Sequence, residues 1–425
     1  MSGKNQNPAW FKPFTFLGQL SSNINAINPA IHAEVFAPIH ENLHYIQCIS
    51  TYYGCFSFMS YWKVLTKLAK ILSCKDSSQI SLEEKELLIN SFNSHRNELK
   101  VFDHFVYVDT TDSIEEGPLF ADFETSANIE PAYCKILVDG ERRLIGMGAT
   151  AIMESMALAL ELWFGASKQK FNWLHKQTDP SFLVYTIGIE TLKKTTGWDD
   201  FEKICAAMVL LGDFSLNHPL QKFVFLDGAM KIGKEFKKPP AEKDLLKIYD
   251  FLLDEYEETD IKNYRDELWR NNVAPRAFTQ VDSDKFDKAV SSLFQTMLMA
   301  KKNRDDKPDF FVEKVLFDQG NKDFINRYHM PIFLHSDDIY KLSNDERKLE
   351  AVLFLEAMNH RLMTVVHDGY SKACPFIQSS ICGFDRDQLC KKSPWLKNLS
   401  QNPDLNNEMH CIYSFSEETL RSANN

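Results

Sequence analysis

The residues of this chain best suited to chemistry are two histidines that flank a glutamate in His40-Glu41-Asn42-Leu43-His44. On a helix, positions i and i+4 share a face, so the imidazoles of His40 and His44 can bind one metal ion. Glu41 lies about 100° around such a helix and can reach a water molecule beside that ion. Zinc would act as a Lewis acid, and Glu41 would take a proton from the water and pass it to the leaving group. The pattern therefore predicts metal-assisted hydrolysis.

A polar stripe on the same segment favours a metal site. Gln47 falls on the helical face of His40 and His44, whereas the other faces are apolar. Buried polar groups need partners, and Gln47 is expected to orient an imidazole through the ring nitrogen that the metal does not use. The alternative interpretation is a pair of core histidines that bond to backbone carbonyls.

A catalytic zinc needs a third protein ligand, and Glu154 is the candidate. It lies in the apolar run of residues 148–157, where a carboxylate is costly unless it is paired or bound to a metal. The alternative is a structural ion pair with Arg142 or Arg143. Glu161 follows seven residues later on nearly the same helical face, so it is expected to orient one of the two histidines from behind.

Together these residues carry a family resemblance. The motif of residues 40–44, followed about 110 residues later by Glu154-Ser155-Met156-Ala157, resembles the gluzincin class of zinc metallopeptidases. The resemblance implies that the two histidines and Glu154 are zinc ligands and that Glu41 is the catalytic carboxylate. It also implies a zincin-like core and a peptide or protein substrate.

Peptidases of this kind often have a tyrosine or histidine donor that stabilises the oxyanion of the tetrahedral intermediate. The candidates are Tyr45, Tyr133, His104 and His175. Their spacing gives no reason to prefer one of them, so the identity of the donor stays open.

A second metal site is considered at three cysteines with regular spacing. Cys374, Cys382 and Cys390 are each eight residues apart in one predicted loop. Three thiols could bind a structural zinc or an iron–sulfur cluster. The alternative is three free thiols, because the loop contains no Cys-x-x-Cys pairing.

The elements that must position the candidate site are mainly helices. The motif helix is expected to begin near Pro38, with a break at Gly54. Residues 133–145 alternate in polarity around Asp139-Gly140, which predicts a β-hairpin. A buried helix over residues 149–164 follows directly. The sequence therefore predicts a mainly helical α+β fold in which a hairpin precedes the helix that carries the third ligand.

The remaining elements are also mostly helical. A capped helix is expected over residues 76–99 and a strand over residues 101–109. Further helices are expected over residues 241–258, 283–302 and 345–366.

A linker candidate, Lys237-Lys238-Pro239-Pro240, divides the chain. It separates a metallopeptidase domain, residues 1–236, from a helical C-terminal region, residues 237–425, that contains the cysteine loop.

Composition narrows the class of protein. The 425 residues include 59 acidic and 48 basic side chains, giving a formal net charge of -11, so no global positive field attracts nucleic acid or anionic lipid. The sequence predicts neither a secretory signal nor an apolar stretch that could span a membrane. Its nine cysteines are irregularly spaced and do not indicate a disulfide framework. A cytoplasmic protein is expected.

Two functions follow from these patterns. The first is a zinc-dependent hydrolase, in its simplest form a metallopeptidase with Zn²⁺ as its cofactor. The second is a non-catalytic helical interaction protein whose motif is degenerate or due to chance. The two hypotheses differ in geometry, because a hydrolase needs both imidazoles and the Glu154 carboxylate to converge on one point.

Overall fold

The computed structural model describes residues 9–12, 17–20, 37–73, 80–102, 107–109, 133–138, 141–166, 168–175, 184–256, 259–277, 285–318, 324, 327–328, 332–335, 338–341 and 346–367. Most of these residues are helical, so the mainly helical prediction is confirmed. Within this part of the chain, no helix combines the length and the hydropathy that a membrane-spanning segment needs.

The helices of the first half are α1 (Ala37–Ser50), α2 (Tyr52–Ser73), α3 (Leu82–Phe102), α4 (Ala149–Trp163), α5 (Lys168–His175), α6 (Ile187–Thr196), α7 (Phe201–Leu216) and α8 (Gln221–Glu235). Those of the second half are α9 (Lys247–Tyr256), α10 (Thr259–Leu268), α11 (Ala274–Ala277), α12 (Lys285–Asp306), α13 (Phe310–Phe317) and α14 (Glu346–Val366). A 3-10 turn spans Glu242–Asp244, and a π-helical turn spans Trp269–Val273.

The strands are β1 (Ala9–Lys12), β2 (Leu17–Leu20), β3 (Tyr107–Asp109), β4 (Tyr133–Val138), β5 (Glu141–Gly146), β6 (Ile332–His335) and β7 (Asp338–Lys341). One sheet has the order β1-β2-β6-β7, in which only the β2–β6 pair is parallel. The other sheet has the order β3-β5-β4 and is antiparallel. The register of β4 and β5 runs from Tyr133–Gly146 to Val138–Glu141, and the intervening Asp139-Gly140 lies outside the described residues.

Helix α3 begins at Leu82, inside the predicted range of residues 76–99. The backbone N–H of Ser81 donates to Glu84 Oε2 at 2.8 Å, and the N–H of Glu84 donates to Ser81 Oγ at 3.3 Å, which forms a capping box. The predicted end of the helix was wrong, because α3 continues to Phe102 and the strand begins only at Tyr107. Residues 98–100 are Glu, Leu and Lys, which are good helix formers and extend the helix.

The predicted break at Gly54 was wrong, because the boundary between α1 and α2 falls at Thr51. The Thr51 hydroxyl donates to the carbonyl of Gln47 at 2.7 Å and accepts from the N–H of Gly54 at 3.1 Å. Gly54 lies inside α2, where an added Cβ would be 2.4 Å from the carbonyl oxygen of Gln47. The glycine therefore allows α2 to approach the end of α1 closely, while Thr51 ends one helix and caps the next.

The core joins the described elements in one hydrophobic cluster that extends from Leu43 to Val365. Helix α4 packs against α1 on one side and α7 on the other. Gly212 of α7 makes the second contact possible, because a Cβ there would lie 2.3 Å from Met156 Cγ. The cluster contains residues from both sides of residue 237, and the division into two domains stays a prediction.

A distant residue holds the C-terminal end of α1. Arg304 of α12 donates from Nε to the carbonyl of Ser50 at 2.7 Å and from Nη2 to the Ser50 hydroxyl at 3.0 Å. Its Nη1 and Nη2 donate to Asp213 Oδ2 and Oδ1 at 2.8 and 2.7 Å, and Nη1 also donates to the carbonyl of Pro308 at 3.3 Å. A cation at a helix C-terminus also interacts favourably with the helix dipole. Arg304 therefore fixes the helix that carries the motif.

Candidate metal centre

The structure brings the three predicted ligands together. The Nε2 atoms of His40 and His44 on α1 lie 3.1 and 3.2 Å from the same oxygen, Oε2 of Glu154 on α4. One donor atom from each residue lies within 4.8 Å of the other two. The side chains of His40 and His44 are 10% and 7% exposed, and that of Glu154 is 23% exposed. The cluster is therefore buried, with its opening on the Glu154 side.

The distances suit a small metal ion. Zinc bonds of about 2.0 to 2.2 Å place tetrahedral ligands roughly 3.3 to 3.6 Å apart. The two separations between imidazole nitrogen and carboxylate oxygen, 3.1 and 3.2 Å, are close to that edge length. The side chains present therefore fit a metal ion bound by two imidazoles and a carboxylate.

Outer hydrogen bonds set the orientation of both imidazoles. His40 Nδ1 donates to Glu161 Oε1 at 2.7 Å, and His44 Nδ1 donates to Gln47 Oε1 at 2.8 Å. Both predicted supporting residues thus contact the predicted ligands. Because each Nδ1 carries the donated proton, the neutral form of each ring has its lone pair on Nε2.

With both imidazoles neutral, these lone pairs would face a carboxylate oxygen, and three electron-rich atoms would point toward one another. Such an arrangement needs a positive charge among them, either protons on the imidazoles or a metal ion. The described partners of Glu154 are the two histidines, and the side chains of the predicted alternatives, Arg142 and Arg143, lie outside the described residues.

The formal charges of the cluster lead to the same requirement. In the described part of the chain, the charged groups of the cluster are the carboxylates of Glu41, Glu154 and Glu161 and the ammonium group of Lys170, which contacts Glu161 Oε2. With neutral imidazoles, two negative charges remain in a site where water cannot screen them well. A divalent cation would compensate both charges.

The pKa values reflect this excess of negative charge. Burial lowers the pKa of His40, but hydrogen bonds to Glu154 and Glu161 outweigh burial and raise it to about 10. Burial also lowers the pKa of His44, and Glu154 reverses the direction, so the net pKa is raised. Burial raises the pKa of Glu154, yet the two histidines hold it below its ordinary value. A metal ion that binds here would displace protons from the imidazoles.

Glu41 lies beside the ligands and has a different electrostatic environment. Its side chain is buried, and burial raises its pKa. His40 and His44 oppose the rise, while Glu154 and Glu161 add to it, and the net pKa is raised. A carboxyl group with a raised pKa is a better proton acceptor near neutral pH than an ordinary one.

Tyr185 is a candidate donor that no sequence pattern indicated. Its ring centroid lies 5.8 Å from that of His40. Ser155 on α4 fixes the turn around it, because its hydroxyl donates to the carbonyl of Val184 at 2.8 Å and accepts from the N–H of Gly188 at 3.0 Å. The charge of Glu154, followed by burial, raises the pKa of Tyr185, so its hydroxyl keeps the proton that it could donate.

Of the remaining predicted residues, only Tyr45 has a described side chain, and it is not part of the cluster. Tyr45 is fully buried and lies about 140° around α1 from His40, in the core and away from the ligands. The other predicted residues, or their side chains, lie outside the described part of the chain: the side chains of Tyr133 and His175, and the whole of His104, Cys374, Cys382 and Cys390.

The cluster could hold a metal ion, and known proteins provide no independent assignment. In comparisons with them, no family model, no curated protein and no solved structure matches this chain. Function is therefore inferred from the arrangement of the cluster itself.

Proposed function

We propose that this chain is a zinc-dependent hydrolase that cleaves peptide bonds, with Zn²⁺ held by His40, His44 and Glu154. The convergence of two imidazole nitrogens on one carboxylate oxygen, at 3.1 and 3.2 Å, carries the proposal. Both Nδ1 atoms have other partners, so the lone pairs on Nε2 are available for a metal ion.

The proposal of zinc depends on the donor set and on Glu41. Two imidazoles and one carboxylate suit zinc, and the same set also binds iron(II) in oxygenases. Glu41 is a buried carboxylate next to the first ligand in the chain. Hydrolysis needs such a proton acceptor beside the metal, which favours zinc.

Each nearby side chain has a role in this proposal. When bound, zinc supplies Lewis acidity, which polarises a substrate carbonyl and makes water more acidic. Glu41 accepts a proton from the attacking water and donates it to the leaving amine. Tyr185 donates a hydrogen bond to the substrate carbonyl oxygen as negative charge develops on it. Glu161 and Gln47 orient the imidazoles from outside.

The choice of a peptide bond follows from the resemblance of the two motif segments to gluzincins. We extend the proposal to the fold, as an α+β zincin-like core in which α1 and α4 hold the metal and the β3-β5-β4 sheet precedes α4. The partner is then a peptide or protein substrate that reaches the centre from the exposed side of Glu154.

Metal analysis and peptide digestion test the proposal together. We expect about one zinc per wild-type chain, removable by a chelator, and no stoichiometric zinc in His40→Ala. Glu41→Gln should keep its zinc and cleave a peptide library about 10²- to 10⁴-fold more slowly, because it loses the proton acceptor. Mass spectrometry of the digested library measures the rate.

A matched control is Glu83→Gln, which makes the same change at an exposed position in the first turn of α3. It should keep both zinc and cleavage. A wild-type chain without stoichiometric zinc would overturn the proposal. Bound zinc with no cleavage of any peptide would instead support the alternative, a non-catalytic helical protein.

A further inference from the structure

The Glu161 carboxylate has a partner at each oxygen. Oε1 accepts from His40 Nδ1 at 2.7 Å, and Oε2 forms an ion pair with Lys170 Nζ. The Glu161 side chain is 1% exposed and that of Lys170 is 15% exposed. A buried carboxylate held at both oxygens cannot rotate freely, so the position of Lys170 determines where the other oxygen points.

Lys170 is itself held in place by aromatic packing. It lies on α5, whose next residue, Phe171, is buried against Phe201 of α7 with ring centroids 5.1 Å apart. Lys168, two residues earlier, places its ammonium group 4.5 Å from the centre of the Phe201 ring. The short helix is therefore anchored on α7, and Lys170 is directed toward Glu161.

The two imidazoles depend on different kinds of support. His44 is oriented by Gln47, three residues further along the same helix. His40 is oriented by Glu161, which is 121 residues away and is fixed in turn by a third element, α5. Gln47 Nε2 also donates to the Met153 carbonyl of α4 at 3.4 Å, so the support of His44 involves α1 and α4, whereas that of His40 requires α1, α4 and α5 to be assembled.

We infer that Lys170 is a positioning residue of the metal centre, which fixes Glu161 so that His40 keeps its proton on Nδ1 and directs its Nε2 lone pair at the metal. This inference rests on the proposed function. The Lys170 charge also repels a cation, so the inference requires the gain in orientation to exceed that repulsion.

A competition titration of zinc with a chromophoric chelator tests the inference on the full chain. Lys170→Met removes the ion pair and should weaken zinc binding about 10- to 100-fold, as loss of outer support for a ligand usually does. Lys170→Arg keeps the charge and the donors and should bind within about threefold of wild type. Lys194→Met is the matched control, because it removes the same charge from an exposed position on another helix, α6, and it should leave the affinity unchanged.

The visible spectrum of the cobalt(II)-loaded protein gives a second readout, because it responds to the arrangement of the ligands and not to stability. It should change in Lys170→Met and return to the wild-type form in Lys170→Arg. If Lys170→Met does not fold by circular dichroism, Lys170→Gln replaces it, with a loss of affinity of about 3- to 10-fold expected because its amide can still donate to Glu161.

Equal or tighter zinc binding by Lys170→Met would overturn the inference and leave the proposed function intact, since equal binding excludes positioning and tighter binding shows that repulsion dominates. A wild-type chain that binds no zinc would overturn both. A loss of affinity in Lys194→Met equal to that in Lys170→Met would also overturn the inference, because charge alone would then explain the effect.

Discussion

The two ends of α1 carry buried charges that are arranged in opposite ways. At its C-terminal end, Arg304 and Asp213 form a closed pair in which each N–H of the guanidinium group has an acceptor. Near its N-terminal end, the described carboxylates outnumber the described ammonium groups, and the Nε2 atoms of His40 and His44 converge on one oxygen. The Arg304–Asp213 pair is balanced as it stands, whereas the second arrangement needs protons on its imidazoles or an added cation.

A structural charge cluster and a candidate binding site differ in two properties: the balance of their charges and whether every donor has an acceptor. Burial alone does not distinguish them, because Arg304 and His40 are both nearly inaccessible. Asp213 also accepts from the Tyr249 hydroxyl at 3.2 Å, which completes the closed pair. Stability should therefore depend on the closed pair with or without metal, and should depend more strongly on the histidine cluster when metal is present.

The largest effect on stability is expected when the ion pair between Arg304 and Asp213 is broken. Arg304→Met should lower the free energy of unfolding by about 3 to 5 kcal/mol, because Asp213 is left as an uncompensated buried charge. Urea denaturation of the metal-free protein measures it. The double variant Arg304→Met/Asp213→Leu should recover part of the loss, and a single variant as stable as wild type would show that the pair contributes little.

Zinc should stabilise the folded chain through the other cluster. At a free zinc concentration about 100 times Kd, we expect a gain of about 2.7 kcal/mol in the free energy of unfolding. The gain should vanish on addition of a chelator and be absent in His40→Ala. Urea denaturation with and without zinc measures it, and an equal gain in His40→Ala would place the binding elsewhere.

The smallest effect is expected from the local support of His44. Gln47→Met keeps the size of the side chain and removes the acceptor of His44 Nδ1, so zinc affinity should fall about 10-fold, or about 1.4 kcal/mol. The competition titration used for Lys170 measures it. Unchanged affinity in Gln47→Met would show that packing alone orients this imidazole.

Part of the candidate site could be predicted because it depends on the local spacing of residues or on the free-energy cost of burying a carboxylate. His40, Glu41 and His44 follow from the i, i+4 geometry of a helix. Glu154 and Glu161 stand out because a carboxylate in an apolar helix needs a partner.

The other part depends on tertiary packing, which leaves no local pattern. Tyr185 is positioned by a turn that Ser155 holds from another helix, and Lys170 by the docking of α5 on Phe201. The break before α2 was misplaced for a related reason. Gly54 is required by a close contact between two helices, and in the sequence such a glycine cannot be distinguished from one that ends a helix.

Arg304 and Ser50 are 254 residues apart in the sequence, and this separation sets an order of events during synthesis. A growing chain acquires its histidine pair early, but the terminus of that helix stays uncapped until translation has passed residue 304. Nascent chains shorter than this have the histidine pair without the Arg304 contacts that fix its helix. If the chain binds zinc as proposed, binding should therefore be a late event, completed only after most of the polypeptide has been made.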